Sequence, residues 1–265
     1  MTVREAVVET ERRLAAAGVD TPRVDAEWLL AHVLGVPRAR IFEQENLDAA
    51  ALEPLVRRRE QREPLAYVLG EWGFRNLTLK TDRRALVPRP ETEIVVERAL
   101  ALLDGLNAPR VVDIGVGSGA IALAIKDERR DAHVTGVDVS ADALSLAREN
   151  AERLRLDVEL RRGGADVAAE GWDLVVANPP YIAQGALTQL QPELQWEPYE
   201  ALADNGLHDE IIQAAQTAWL VLEVGLGQAR QVERVMSKRG YGRTRITRDL
   251  AGIERIVEGK RDEQR

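Results

Sequence analysis

Asn178-Pro179-Pro180-Tyr181 concentrates more chemistry than any other segment of this 265-residue chain. Two consecutive prolines fix φ and offer carbonyl oxygens with no competing N–H. The Asn178 amide adds an acceptor oxygen beside them. Together these groups can accept both hydrogens of a planar –NH2 group, while Tyr181 gives a flat surface against its plane. An amide or aniline-like nitrogen is a poor nucleophile because its lone pair is delocalised. Holding both N–H bonds toward acceptors aims the remaining lone pair at an electrophile, which is catalysis by orientation and electrostatics. As a bare tetrapeptide the segment could equally be a rigid turn. Directly after the apolar run Trp172-Asp-Leu-Val-Val-Ala177, at a strand end, it reads as a site.

Asp113-Ile114-Gly115-Val116-Gly117-Ser118-Gly119 is the second candidate. Alternating glycines let the backbone turn sharply and let a ligand approach the main chain closely. In open α/β sheets, ligands bind outside the carboxyl ends of strands at such a turn. Gly115-x-Gly117-x-x-Ala120 also satisfies the relaxed dinucleotide fingerprint, so the loop alone leaves a nicotinamide and another adenosine cofactor both open. Asp138 ends the run Val134-Thr-Gly-Val137, roughly 20 residues beyond the loop, where a carboxylate accepts hydrogen bonds from ribose hydroxyls. Ser140 fits the neighbouring helix-cap role, which leaves Asp138 for the ligand.

The surrounding elements follow from periodicity. Residues 1 to about 73 read as short helices: Val3, Val7, Val8, Leu14 and Ala15 recur near helical spacing. Thr21-Pro22 with Asp25 and Glu27 marks a helix start, and Gly35 then Pro37 mark its end. A further helix is expected from about Ala49 to Arg62. Between Arg75 and Pro90, alternation at Leu77 and Leu79, a turn at Asp82 and the run Ala85-Leu86-Val87 suggest a hairpin linking two domains. Glu91 then opens a helix. Beyond residue 109 strands at Arg110–Ile114, His133–Val137, Val158–Leu160 and Trp172–Ala177 alternate with helices at Ala120–Ile125 and Ala141–Leu154. Two late segments, Trp219–Val224 and Ile253–Glu258, are also strand-like. This rhythm predicts an α/β fold with a mostly parallel sheet and helices on both faces.

Composition removes several classes of function. Cysteine is absent, so disulfides, thiolate metal sites and thiol nucleophiles are excluded. The three histidines, His32, His133 and His208, have no metal-ligand spacing, and no metal is expected. With 36 basic and 44 acidic residues the net charge is −8, which argues against gripping nucleic acid through phosphates. The run Arg57-Arg58-Arg59…Arg62 is the local exception and reads as the solvated face of a helix. No apolar stretch is long enough for a membrane span, and Met1–Leu14 lacks a signal-peptide core, so the expected compartment is the cytoplasm.

DIGVGSG at 113–119, VDVS at 137–140 and NPPY at 178–181, in this order, resemble S-adenosylmethionine-dependent methyltransferases acting on exocyclic or amide nitrogens. Three further blocks narrow the likeness: Glu63-Pro-Leu-Ala-Tyr67…Gly70, Val87-Pro-Arg-Pro-Glu-Thr-Glu93, and Glu197-Pro198…Ala201-Leu202. With these the chain resembles the peptide-chain release factor N5-glutamine methyltransferases (the PrmC/HemK family) over nearly its whole length. The resemblance implies a class I methyltransferase domain over residues 91–265, a linker hairpin over 74–90 and a helical substrate-docking domain over 1–73. It implies S-adenosyl-L-methionine as cofactor, held by Asp113, Gly115, Val116, Gly117, Ser118, Gly119 and Asp138, with Asn178 between cofactor and substrate. Asn178, Pro179, Pro180 and Tyr181 would form the pocket for the glutamine of the Gly-Gly-Gln motif of class I release factors. The family pattern has an acid followed by an aromatic after the third strand, near the adenine. Here Arg161–Asp166 has no aromatic, and Asp166 is the nearest candidate. Nor is there a glycine-containing turn before Trp219.

Two other activities fit parts of this pattern. An N6-adenine methyltransferase of DNA or RNA would use the same tetrapeptide, but it calls for a basic nucleic-acid-binding region. A nicotinamide-dependent oxidoreductase would use the glycine loop and leave Asn178–Tyr181 unexplained.

Overall fold

The computed structural model describes residues 1–183, 185–186 and 190–262. The chain divides into two compact units. One comprises Met1–Glu71 with Leu190–Trp196, the other Trp72–Gln189 with Glu197–Arg265.

The first unit is helical: α1 (Val3–Ala16), α2 (Pro22–Leu34), α3 (Ala49–Glu60) and α4 (Leu65–Leu69). Thr2 and Glu5 form a reciprocal capping box at the start of α1, and Pro22 opens α2 at the position where a missing N–H costs least. Val7, Leu14, Leu29, Leu30, Ile41 and Val56 fill the core. The arginine run is not a solvated face. Arg57 alone is largely exposed, paired with Glu53. Arg58 pairs with the buried Glu63 at 2.7 Å. Arg59, 5% exposed, donates to Asp25 at 2.7 Å and to Glu193 at 2.8 Å, and Arg62 donates to Glu193 at 2.6 Å. The helix turns one face inward, and acids at distant sequence positions, invisible to a charge count, wait there.

The second unit opens with the hairpin β1 (Glu71–Phe74) and β2 (Leu77–Lys80), followed by α5 (Glu93–Leu102). The hairpin turns at Arg75-Asn76 rather than at Asp82, with Arg75 at φ 50°; Ala85-Leu86-Val87 forms no strand. Asp82 is occupied otherwise, in an ion pair with Arg84. Then come β3 (Arg110–Ile114), α6 (Ala120–Glu128), β4 (His133–Asp138), α7 (Ala141–Leu154), β5 (Glu159–Arg162), β6 (Leu174–Ala177), α8 (Leu207–Ala214), β7 (Trp219–Glu223), α9 (Ala229–Lys238), β8 (Arg243–Arg248) and β9 (Glu254–Lys260). The sheet order is β5-β4-β3-β6-β7-β9-β8, parallel except for β9.

Alternate residues of the strands feed two cores. Val111, Val134, Val176 and Val221 pack with α5, α6 and α7, whereas Val112, Val137, Val175 and Leu222 pack with α8 and α9. Burial on both faces explains the nearly unbroken apolar runs of β6 and β7. Strand β8 was not foreseen: Arg243-Thr-Arg-Ile-Thr-Arg248 is an edge strand, where arginines guard an open rim and blur the apolar signal. The junction before Trp219 is ordinary. Helix α8 ends at Ala214, and Ala215-Gln-Thr-Ala218 gives a connection within the usual span of about 2–6 residues. Thr217 closes it by donating to the Trp172 carbonyl at 2.8 Å.

The chain leaves β3 for β4 on one side, and β6 lies on the other. The carboxyl ends of β3 and β6 therefore flank the crevice where strand order reverses, the usual ligand position in such sheets.

Candidate active site

Register places the predicted segments side by side. Ile114 pairs with Val137 on one side and with Ala177 on the other, and Ala177 pairs with Leu222. Gly115, Asp138, Asn178 and Glu223, each the next residue along its strand, thus line one edge of the sheet.

The glycine loop is tied to the end of β4. The Gly115 and Val116 N–H groups both donate to the Val137 carbonyl, at 2.8 and 2.9 Å, and Gly117 N–H donates to Asp138 Oδ2 at 3.0 Å. Gly117 sits at φ 54°, and a Cβ built there would have no neighbour nearer than 3.9 Å, so the space above the loop is open. The Val116 side chain points the other way, into the sheet against Gly136, where a Cβ would lie 2.6 Å from it. The Val116 side chain therefore packs beneath the loop, and only its backbone faces the space above. The Ser118 carbonyl accepts from Asn150 Nδ2 at 2.9 Å, and Asn150 also bonds both backbone groups of Lys80 in β2. Gly119 precedes α6 at φ 90°.

Asp138 is less free than its sequence position suggests. Its two oxygens accept from Gly117 N–H and from Ser140 N–H, each oxygen keeping one further lone pair. Ser140 caps α7 as expected, accepting from Ala143 N–H. Asp113 is 1% exposed; Oδ2 accepts from Ala122 N–H at 3.1 Å while Oδ1 has no partner. Burial pushes its carboxyl up to about 7, and the negative Asp138 adds to that. With two carboxylates at the loop and its first amides already bonded, this edge suits a cationic ligand. A pyrophosphate, which needs free N–H groups, would be repelled.

Asn178 Nδ2 donates to the Thr92 hydroxyl at 3.1 Å, which leaves Oδ1 on the other side of the amide. Among the described residues no donor reaches Asn178 Oδ1 or the Pro179 carbonyl. Both are acceptors in waiting. Pro180 is half-buried. The Tyr181 carbonyl accepts from Gln228, and its hydroxyl lies 3.5 Å from Glu223, with burial and that acid pushing the phenol up to about 12.

The sequence blocks meet around these groups. Glu197 is buried and accepts from Val87 N–H at 3.0 Å and from Arg89, tying the Glu197-Pro198 block to the Val87–Glu93 block. Ile182 N–H donates to the Leu202 carbonyl at 3.0 Å, and Asp204 N–H to the Ile182 carbonyl at 2.8 Å. Asp166 is exposed, its Oδ1 accepting from Gly164 N–H. Sequence reading passed over Thr92 as an individual residue, and missed Asn150 and Glu223. The last two carried a signal: an acid ends the apolar run of β7, and an amide lies on the buried face of α7.

A family model described as the PrmC N-terminal domain matches residues 5–70, and one described as the methyltransferase small domain matches residues 94–241. The chain is 38% identical to the release factor glutamine methyltransferase of Geobacter sulfurreducens, with 98% of this chain and 96% of that protein covered. Proteins of the same name from Vibrio cholerae and Deinococcus radiodurans are each 37% identical, over 98% of this chain and 97% and 99% of theirs. Among solved structures, the hMettl16 catalytic domain in complex with an RNA hairpin superimposes with a TM-score of 0.58 at 12% identity, covering 71% of this chain and 77% of that one. The Thermus thermophilus 16S rRNA N2 G1207 methyltransferase, in complex with AdoMet and guanosine, gives 0.53 at 16% identity, covering 72% and 50%. At such identities these two likenesses speak for the fold.

Proposed function

The chain belongs to the release factor glutamine methyltransferase family, and from that premise we propose how its own residues carry the reaction. The activity is transfer of a methyl group from S-adenosyl-L-methionine to the side-chain amide nitrogen of a glutamine. The substrate is the glutamine of the Gly-Gly-Gln motif in class I release factors, and the cytoplasm is the compartment this implies. Residues 1–73 dock the release factor, residues 74–90 link, and residues 91–265 carry the chemistry.

The observation that supports this reading best is the Asn178 amide. With Nδ2 held by Thr92, Oδ1 is left beside the Pro179 carbonyl as a pair of unsatisfied acceptors. A primary carboxamide offers the complementary pair of donors. Asn178 and Pro179 would hold its two N–H bonds, and Pro180 and Tyr181 would close the sides of its pocket. Bound S-adenosylmethionine supplies a sulfonium-activated methyl group. It also carries an ammonium, which fits the unpartnered Asp113 Oδ1, and ribose hydroxyls, which fit the spare lone pairs of Asp138. Gly115 to Gly119 leave the open space for it. As the nitrogen gains the methyl it loses one proton, and the oxygens of Asn178 and Pro179 stabilise the positive charge that develops on the amide before the proton passes to water. No covalent enzyme intermediate is required.

Transfer to an adenine amino group is not favoured: the near-full-length relatives named above all carry the glutamine activity, and the chain's charge is −8. The direct test is mass spectrometry of purified release factor incubated with this protein and S-adenosylmethionine. One added methyl on the motif glutamine is expected; methylated nucleic acid with unmodified release factor would overturn the reading.

A further inference from the structure

Glu223 has no part in the reaction as described, yet it is the most deeply buried acid at the Asn178 side of the crevice. It is 1% exposed, its Oε2 has no hydrogen-bond partner, and strand register sets it beside Asn178. Around its carboxylate stand the hydroxyls of Tyr181 and Thr92 and the charges of Arg255 and Glu91. His208 holds its backbone carbonyl at 2.7 Å, and Arg255 is committed to Asp249. Thr92, buried on the turn before α5, touches both Glu223 and Asn178.

We propose that Glu223 and Thr92 are positioning residues that set which way round the Asn178 amide faces. This rests on the methyltransferase reading above. An ionised carboxylate only accepts, so it draws the Thr92 proton toward itself. Thr92 then has only lone pairs to offer Asn178, which must answer with its NH2 group. Oδ1 is thereby turned to the substrate. The opposite orientation would set NH2 against NH2, two donors with nothing between them. The Tyr181 hydroxyl, drawn toward the same carboxylate, keeps the aromatic wall in register with the amide. The buried acid thus acts as the fixed end of a chain of directed hydrogen bonds ending at the oxygen that grips the substrate. Burial raises its carboxyl to about 7, so the directing carboxylate is the form that prevails above that pH.

The experiment compares the full-length protein with Thr92→Val, Thr92→Ser and Glu223→Gln on whole release factor. Thr92→Val keeps the shape and removes the hydroxyl. It should lower kcat about ten- to a hundredfold, the size expected when a directed buried hydrogen bond is lost, with cofactor Kd within about twofold. Thr92→Ser restores the hydroxyl and should recover kcat to within about threefold of the parent. Glu223→Gln, whose amide can donate as well as accept, should fall with Thr92→Val, and it carries the test should the valine variant fail to fold. A kcat unchanged in Thr92→Val and Glu223→Gln would overturn the inference. So would a serine variant as slow as the valine one, or a rise in cofactor Kd matching the fall in kcat. A parent protein that leaves the glutamine unmethylated would overturn the functional reading itself, whereas the other failures leave that reading standing.

Discussion

Both oxygens of Asp138 are engaged by the loop and by Ser140, so the role proposed for it as a ribose acceptor rests on its second lone pairs. A carboxylate at a strand end was legible from spacing. That it also braces Gly117 was not, because the bond exists only once β3 and β4 are in register. Asn178 was legible as an acceptor for a different reason: adjacent prolines leave few other uses for the segment. Replacing it by alanine should lower kcat about 100- to 1,000-fold, as when a preorganised charge-stabilising group is removed, while calorimetry shows cofactor affinity nearly unchanged. Asp113 gives a pH signature. Its folded value is raised to about 7, so the protonated native form is favoured; the stability this contributes is fully present below the ordinary carboxylate range and is lost as pH rises through about 7. In cofactor-free protein, chemical denaturation should show stability declining across that window, and Asp113→Asn should flatten the decline.

Helices and strands with strong periodicity were readable, because α7, β3 and β6 each turn apolar residues to a core at the spacing their geometry demands. The hairpin and β8 were not. The first is fixed by the backbone at Arg75, and the second is an edge strand whose arginines hide its period. Gly136 illustrates how elements bear on the site. A methyl group there would meet Val116 at 2.6 Å and Leu160 at 2.8 Å, so Gly136→Ala should push the glycine loop, the proposed cofactor cradle, from beneath. The expected result is weaker cofactor binding with kcat at saturation largely kept, read from initial rates at varied cofactor. In the helical unit, Arg59→Met would leave the buried Asp25 without its cation, while Glu193 keeps Arg62. A loss of about 3–5 kcal/mol is expected by denaturant titration, since an uncompensated buried charge costs that much.

For the whole molecule, the proposed cradle recognises little beyond a primary amide, so selection of a protein substrate must come from elsewhere. The assignment of docking to the helical unit predicts that whole release factor has a far lower KM than a short peptide bearing Gly-Gly-Gln, with similar kcat. Equal KM values would remove that role. The parallel sheet and its two helical layers followed from the alternation of elements. Contacts between residues far apart in sequence did not, since one chain's charges and spacings say nothing of which acid meets which arginine.

The segment Leu190–Trp196 belongs with the helical unit although more than a hundred residues of methyltransferase precede it. Glu193 is held there by Arg59 and Arg62, and Gln191 by Asp20. A chimera that borrows its first 71 positions from a relative must therefore transplant this short return stretch too. Without it, the graft would put a foreign bundle against a native acid whose two arginines had left.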